Sequence, residues 1–160
     1  MGWTISVKLG MSVDVLLSAT KNSGMQIGKW AEDIMGKPAF VVSRNNIVVD
    51  LVVKSVSELG FDEGANFDQI CQAAQKIGLI KCPAEVGPQL RLQYTDQPVD
   101  EWLVVAMDSI FDSVGDPRMF LVGHNDRGRW LVGDFGFAEH IYGRTKKFVF
   151  CNSGFMGGGF

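Results

Sequence analysis

The segment CPAEVGPQLRLQYTDQP, residues 82–98, shapes the interpretation of the whole chain. From Gln89 to Tyr94 polar and apolar residues alternate strictly, with Gln89, Arg91 and Gln93 on one side and two leucines and the tyrosine on the other. A period of two is typical of a half-buried strand. The segment therefore predicts a strand that has a row of glutamine, arginine and glutamine on its polar side.

The surrounding sequence predicts one strong helix and several further strands. The helix spans 66–77, because Asn66 is a good N-cap and Gln69 follows at the spacing of a capping box. Its apolar stripe is expected to pack against Leu90, Leu92 and the strand at 102–107. The remaining predicted elements are a helix over 23–35, two strands or a hairpin over 39–56, a hairpin over 118–135 and a last strand over 146–151.

The order of these elements indicates the fold class. Helices lie mainly in the first half of the chain, and short turns join the later strands. Strands that are joined by short turns pair antiparallel, since parallel pairing needs a long crossover. We therefore predict an α+β fold, with an antiparallel β-sheet and helices packed on one face. Residues 1–152 are expected to form a single domain, and the glycine-rich residues 153–160 are predicted to form a flexible tail.

The composition of the chain argues against several kinds of binding partner. The chain has 160 residues and a net charge of −3, which argues against a general nucleic-acid-binding protein. No basic segment leads an apolar run at the start, and no apolar run reaches the length of a membrane span, so a cytoplasmic protein without membrane contact is expected. Three cysteines without a CxxC spacing predict neither a disulfide scaffold nor a metal site. No cofactor is predicted.

Four segments carry a resemblance to a known group of proteins: VKSVSELGF, GLIKCPAEVGPQLRLQYTDQP, EWLVVAMDSI and GDPRMFLVGH. In this order they resemble a family of small uncharacterised bacterial proteins, some of them carried on mobile integron gene cassettes. The resemblance covers about residues 52–150. It implies a soluble bacterial protein and indicates no chemistry.

The polar row of the predicted strand is the main candidate site. Gln89, Arg91 and Gln93 form either the solvated face of a sheet or, if something covers them, the floor of a polar pocket. Arginine suits bidentate capture of a carboxylate. Glu85 either accepts hydrogen bonds from nearby backbone N–H groups or serves as an acid or base, and His124 is placed at an exposed hairpin. These five residues are the predicted ligand-binding set.

The function predicted from this set is non-catalytic binding of a small polar or carboxylate-bearing ligand, or of a partner protein, in a pocket near the 89–93 strand. Arg91 is expected to be held by Glu85, Asp96 or Glu101. The alternative is an enzyme of unrecognised type that uses Glu85, Arg91 and a histidine. A homodimer is also expected, because a terminal strand at 146–151 is a candidate open edge of the sheet.

Overall fold

Nine strands form one sheet in the computed structural model, which describes residues 4–153. The strands are β1 (Thr4–Leu9), β2 (Gln26–Ile27), β3 (Ile47–Ser55), β4 (Leu79–Ile80), β5 (Trp102–Val105), β6 (Ile110–Phe111), β7 (Pro117–Asn125), β8 (Gly128–Phe135) and β9 (Lys147–Asn152). The helices are α1 (Val13–Asn22), α2 (Lys29–Met35), α3 (Phe67–Lys76) and α4 (Val86–Gln93), with a short 3-10 turn at Ser57–Leu59.

The sheet is mixed, so the prediction of a purely antiparallel sheet is wrong. Its strand order is β1-β3-β9-β5-β7-β8-β2, with β4 also paired to β9 and β6 to β7. The pairs β5–β9 and β2–β8 are parallel, and the other pairs are antiparallel. The rule that short turns give antiparallel neighbours holds for β6, β7 and β8. It says nothing about β9, which reaches the sheet by the long connection 136–146 and inserts beside β5.

The predicted strand at 89–94 is instead helix α4. Pro88 is the third residue of this helix, where a missing N–H costs nothing because the first backbone N–H groups have no partner within the helix. Gln93 donates through Nε2 to Oε1 of Gln89 at 2.9 Å, a contact that links adjacent turns. The three polar residues of the predicted strand therefore do not lie in one row. Gln89 and Gln93 share one side of the helix, and Arg91 points elsewhere.

Helix α4 packs into the curl of the sheet, where it contacts β1, β7, β8 and helix α1. The six residues from Val86 to Arg91 are all buried. Gly87 makes this packing possible: a Cβ atom there would lie 2.4 Å from the ring of Phe120. Only glycine lets the helix approach the sheet so closely.

Helix α3 confirms the strongest helix prediction but packs elsewhere than expected. Asn66 caps it, and the full capping box with Gln69 is present. The helix contacts β4 and the 3-10 turn, and the Phe67 ring lies 6.0 Å from that of Phe148. The register places Phe148 on the opposite face of the sheet from Phe120, which packs against α4. Helices therefore cover both faces, contrary to the prediction of one.

Other predicted elements are partly confirmed. The hairpin over 118–135 is present as β7 and β8, with Gly128 at a φ of 126° in the turn. The helix predicted over 23–35 is shorter, since α2 begins at Lys29. Of the segment 39–56, only Ile47–Ser55 is a strand. The predicted tail, apart from Ser153, lies outside the described residues.

The last strand is not an open edge. β9 lies between β3 and β5 in the middle of the sheet, so dimerisation through this strand is excluded. The outer positions belong to β1 and β2. At β1, the side chain of Gln93 accepts from the backbone N–H of Lys8 at 2.9 Å and donates to its carbonyl at 3.0 Å. The glutamine thus occupies part of the edge in the way that a neighbouring strand would. Residues 4–153 include no helix that is long and apolar enough to cross a bilayer.

Candidate functional site

Arg91 lies at the centre of a closed hydrogen-bond network. Its side chain is wholly buried, and it donates to four neutral oxygens. Nη1 donates to Oε1 of Gln97 at 2.6 Å and to the carbonyls of Gly123 at 2.8 Å and Trp130 at 3.3 Å. Nη2 donates to the carbonyl of Tyr94 at 2.8 Å. The buried Nε atom has no acceptor. No surface of this side chain is open to a ligand.

The carboxylates expected beside Arg91 do not pair with it. In the described part of the chain, neither Glu85, Asp96 nor Glu101 forms an ion pair with the guanidinium. Glu101 reaches the network indirectly, because its Oε1 accepts from the hydroxyl of Tyr94 at 2.9 Å and from Nε2 of Gln97 at 3.2 Å. Burial, together with the nearby positive charge of Arg129, lowers the pKa of Arg91 to about 10.

Glu85 serves a different part of the fold. Its Oε2 accepts from the backbone N–H groups of Gly10 at 2.8 Å and Met11 at 3.3 Å. Its Oε1 accepts from the N–H of Ser43 at 2.8 Å. The carboxylate is fully buried and joins the end of β1 to the loop before β3. Three backbone donors thus occupy both oxygens, which is the first of the two roles considered for this residue.

The predicted set of five residues therefore divides into three groups. Gln89 and Gln93 bond to each other, and Gln93 also bonds to β1. His124 joins the Arg91 network, since its Nδ1 lies 2.6 Å from the carbonyl oxygen of Gln97. Glu85 stands apart from both groups. The structure brings Arg91 and His124 together through one residue and does not gather the five into one pocket.

An open groove lies elsewhere, at the end of β8 and along the connection 136–146. We call it the aromatic groove, and its volume is about 400 Å³. The residues that line it are Asp134, Phe135, Phe137, His140, Tyr142, Gly143 and Lys146. Four aromatic rings, counting the imidazole, and two further charged groups are thus concentrated within thirteen residues of sequence.

Two phenylalanines form the exposed wall of the aromatic groove. The rings of Phe135 and Phe137 stack with their centres 5.2 Å apart and their planes at 24°. Phe135 is 46% exposed and Phe137 is 36% exposed. The Arg118 guanidinium lies 3.9 Å from the centre of the Phe135 ring, and Arg118 is itself held by the buried carboxylate of Asp112 at 2.8 Å. This support fixes the orientation of the Phe135 ring.

Tyr142 anchors the opposite side of the aromatic groove. Its backbone pairs with Ala65 in an isolated bridge, and its ring meets Phe148 edge to face at 5.0 Å. His140 packs against the same ring at 4.5 Å. The Tyr142 hydroxyl donates to the carbonyl of Phe135 at 3.4 Å, and burial raises its pKa to about 12. Tyr142 therefore stays protonated at neutral pH and connects the groove to the core.

Sequence reasoning did not find this groove. The sequence analysis assigns no role to GDFGFAEHIYGR, residues 133–144. The available signal was the density of aromatic residues, because Phe135, Phe137, His140 and Tyr142 fall within eight positions. Such density in a connection that is not itself a strand or helix favours a surface function over core packing.

Two of the three thiols, those of Cys71 and Cys82, are not activated as nucleophiles. Burial raises the pKa of Cys71 to about 12 and raises that of the fully buried Cys82 as well. A thiol with a raised pKa stays protonated, and the thiol is a much weaker nucleophile than the thiolate. Within residues 4–153, no group of three or more histidine, cysteine, aspartate or glutamate side chains is arranged to hold a metal ion.

Comparison with protein-family models, with curated proteins and with solved structures gives no significant match for this chain. The resemblance to the integron-associated bacterial family therefore stays a prediction, and the geometry of the aromatic groove is the basis for assigning a function.

Proposed function

We propose that this protein is a non-catalytic binding protein that holds a small planar ligand in the aromatic groove. The observation that carries the proposal is the stacked, exposed pair Phe135 and Phe137 beside a concave surface. Exposed phenylalanine faces leave apolar area in water. A planar ligand that covers them recovers about 25 cal/mol per Å² of that area and adds a stacking contact.

The size and polar lining of the aromatic groove agree with this role. Its volume of about 400 Å³ lies within the range of about 300–1,000 Å³ that is typical of small-molecule sites. Such sites combine apolar walls with a few polar groups that orient the ligand. Here Asp134, His140 and Lys146 supply a carboxylate, an imidazole and an ammonium.

The expected chemistry of the ligand follows from these groups. The sequence analysis expected a polar or carboxylate-bearing ligand that is recognised by Arg91. Arg91 is closed off, and Lys146 is the cation that lines an open site. We therefore retain the carboxylate-bearing ligand and assign its recognition to Lys146, with the planar part of the ligand on Phe137.

The alternative of an enzyme has less support. It requires at least two titratable groups that converge on a reacting atom. Glu85 is buried and bound by three backbone N–H groups, and Arg91 is buried at a separate place. His124 contacts the Arg91 network, not Glu85. The three groups of that hypothesis do not meet.

A binding experiment with matched probes tests the proposal. Naphthoate carries a carboxylate on a flat ring system, and cyclohexanecarboxylate carries it on a puckered ring. Titration followed by NMR should show saturable shifts at residues 134–146 for naphthoate, with binding at least about tenfold weaker for cyclohexanecarboxylate. Equal binding of the two probes would mean that stacking does not drive recognition.

Paired variants locate the site. Phe137→Ala should weaken naphthoate binding about tenfold, whereas Phe111→Ala removes an exposed phenylalanine outside the aromatic groove and should leave binding unchanged. Both variants should remain folded, because surface substitutions change stability by about 0.5 kcal/mol or less in most cases. Naphthoate that binds Phe137→Ala as tightly as the wild type contradicts the proposal.

A further inference from the structure

A second concave surface, here called the charged cleft, has a volume of about 330 Å³. The residues that line it are Asp100, Glu101, Trp102, Gly143, Thr145, Lys146 and Lys147. It shares Gly143 and Lys146 with the aromatic groove, but its remaining lining differs in chemistry. Two acidic and two basic residues line one cavity.

These opposite charges are not paired with each other. Among the described residues, no nitrogen of Lys146 or Lys147 lies within 4.0 Å of a carboxylate oxygen of Asp100 or Glu101. Lysine and carboxylate side chains that line one small cavity would ordinarily gain energy from contact, although the gain is small at an exposed site. The cleft instead keeps positive and negative groups apart, with space between them.

The backbone holds the acidic side of the cleft in place. Asp100 has a φ of 72°, and it is the one residue other than glycine in the described chain that lies in the left-handed region. Its N–H donates to the carbonyl of His124 at 2.7 Å, and the N–H of His124 donates to the carbonyl of Glu101 at 3.2 Å. Asp100 and Glu101 are therefore fixed to strand β7.

The neighbouring side chains fix the wall and one carboxylate of the cleft. The donors Tyr94 and Gln97 both bind Oε1 of Glu101, which leaves Oε2 as the oxygen for a ligand. The Trp102 ring lies against Gly123, where an added Cβ atom would stand 1.9 Å from the ring. The indole is thus held in place and supplies an apolar part of the lining, which suits the hydrocarbon part of a small ligand.

We propose that the charged cleft binds a zwitterionic amino acid. The ammonium group of the ligand pairs with Asp100 and Glu101, and its carboxylate pairs with Lys146 and Lys147. A ligand with a single charge pairs with either the two acidic or the two basic residues. The residues of opposite sign then remain without a charged partner in the cleft. Both proposed ligands use Lys146 for their carboxylate. Only the planar ligand stacks on Phe137, and only the amino acid pairs with Asp100 and Glu101, so the two proposals are tested with different probes.

Three probes of matched length test the proposal on the full chain. γ-Aminobutyrate carries both charges, butylamine carries only the ammonium group, and butyrate carries only the carboxylate. NMR titration should give saturable shifts at Thr145 and at the indole N–H of Trp102 with γ-aminobutyrate, and at least about tenfold weaker binding of the other two probes. Glycine and ε-aminocaproate extend the series to shorter and longer charge separations.

Two outcomes of the titration overturn the proposal. One is that no amino acid of the series gives a saturable shift in the cleft. The other is that butyrate or butylamine binds as tightly as the best amino acid. Because naphthoate is not a zwitterion, failure of the cleft probes leaves the naphthoate result in the aromatic groove unaffected, and the two proposals fail separately.

Variants on both sides of the cleft complete the test. Asp100→Asn removes a negative charge, and asparagine tolerates the left-handed backbone; Lys147→Gln removes a positive charge from an exposed position. Each should weaken γ-aminobutyrate binding about tenfold. Lys76→Gln, an exposed lysine on α3, should have no effect. Wild-type affinity in both cleft variants, with unchanged thermal unfolding, would overturn the proposal.

Discussion

The Arg91 network and the aromatic groove both place an arginine among aromatic and polar groups, yet one is closed and the other open. The Arg91 guanidinium donates to one side-chain amide oxygen and three backbone carbonyls, and none of its surface is accessible to solvent. Arg118 pairs with Asp112 and lies under Phe135, whose ring is left partly exposed. Both arginines are buried and bound by protein acceptors, but only Arg118 lies against a ring that is partly exposed, which is where we propose that a ligand binds.

Removing Arg91 should give the largest effect. Arg91→Ala leaves Oε1 of Gln97 and the carbonyl of Gly123 without a donor and opens a cavity in the core. We expect the free energy of unfolding to fall by roughly 3–5 kcal/mol. Chemical denaturation measures this loss, and Arg127→Ala, on the exposed hairpin turn, is the control with an expected change of about 0.5 kcal/mol or less. A loss under about 1 kcal/mol for Arg91→Ala would contradict the scaffold role.

Adding a methyl group where α4 meets the sheet should give an intermediate loss of stability. Gly87→Ala places a methyl group 2.4 Å from the Phe120 ring, so helix or strand must move. The expected loss of stability is about 1–3 kcal/mol, even though alanine favours helix more than glycine does. Gly36→Ala is the matched control, because a Cβ there would lie in ordinary contact with the carbonyl oxygen of Asp33, at 3.5 Å. A stabilised Gly87→Ala would show that the helix does not pack as described.

The titration of the two tyrosines at high pH tests both the closed network and the aromatic groove. The chain has two tyrosines, and burial raises the pKa of Tyr94 in the closed network and that of Tyr142 at the aromatic groove. A raised folded-state pKa adds stability that is complete below the unfolded value of 10.0 and is lost, for Tyr142, as pH rises toward about 12. Tyrosinate absorbance of the native protein should therefore appear only above pH 10.

A single substitution separates the two tyrosines. Tyr142→Phe should lower stability at neutral pH by about 1 kcal/mol or less, because its hydrogen bond is long, and it should reduce the loss of stability above pH 10. Denaturation at a series of pH values measures both effects. A tyrosine that titrates normally near pH 10 in the folded wild type would show that at least one of the two rings is not held as described.

Local signals in the sequence predicted local structure well. Asn66 and Gln69 fixed the start of α3 through a capping box that involves four consecutive positions. The turn glycine Gly128 fixed the β7–β8 hairpin. Both features depend on contacts between residues that are close along the chain, so the residues that cause them can be identified from the sequence alone.

The long-range features were not visible in that way. Six alternating residues fit either a strand or two turns of a buried helix, and the choice for 89–94 depended on Gly87 meeting Phe120. The acceptors of Arg91 lie up to thirty-nine positions away, and backbone carbonyls have no signature in sequence. The aromatic groove had a compositional signal, but its concave shape depends on how the connection 136–146 is anchored to Ala65.

The central position of β9 has a consequence for how the chain reaches its native state. β9 is the one strand that joins the β1–β3 pair to the β5–β7–β8 unit along the described sheet order. These two parts of the sheet share no hydrogen-bonded strand pair until residues 147–152 arrive. Contacts between distant parts of a chain slow folding because loop closure precedes the gain from pairing. During synthesis on the ribosome, the edges of β3 and β5 therefore remain unpaired until the last strand emerges, which makes this interval the period of greatest exposure to aggregation.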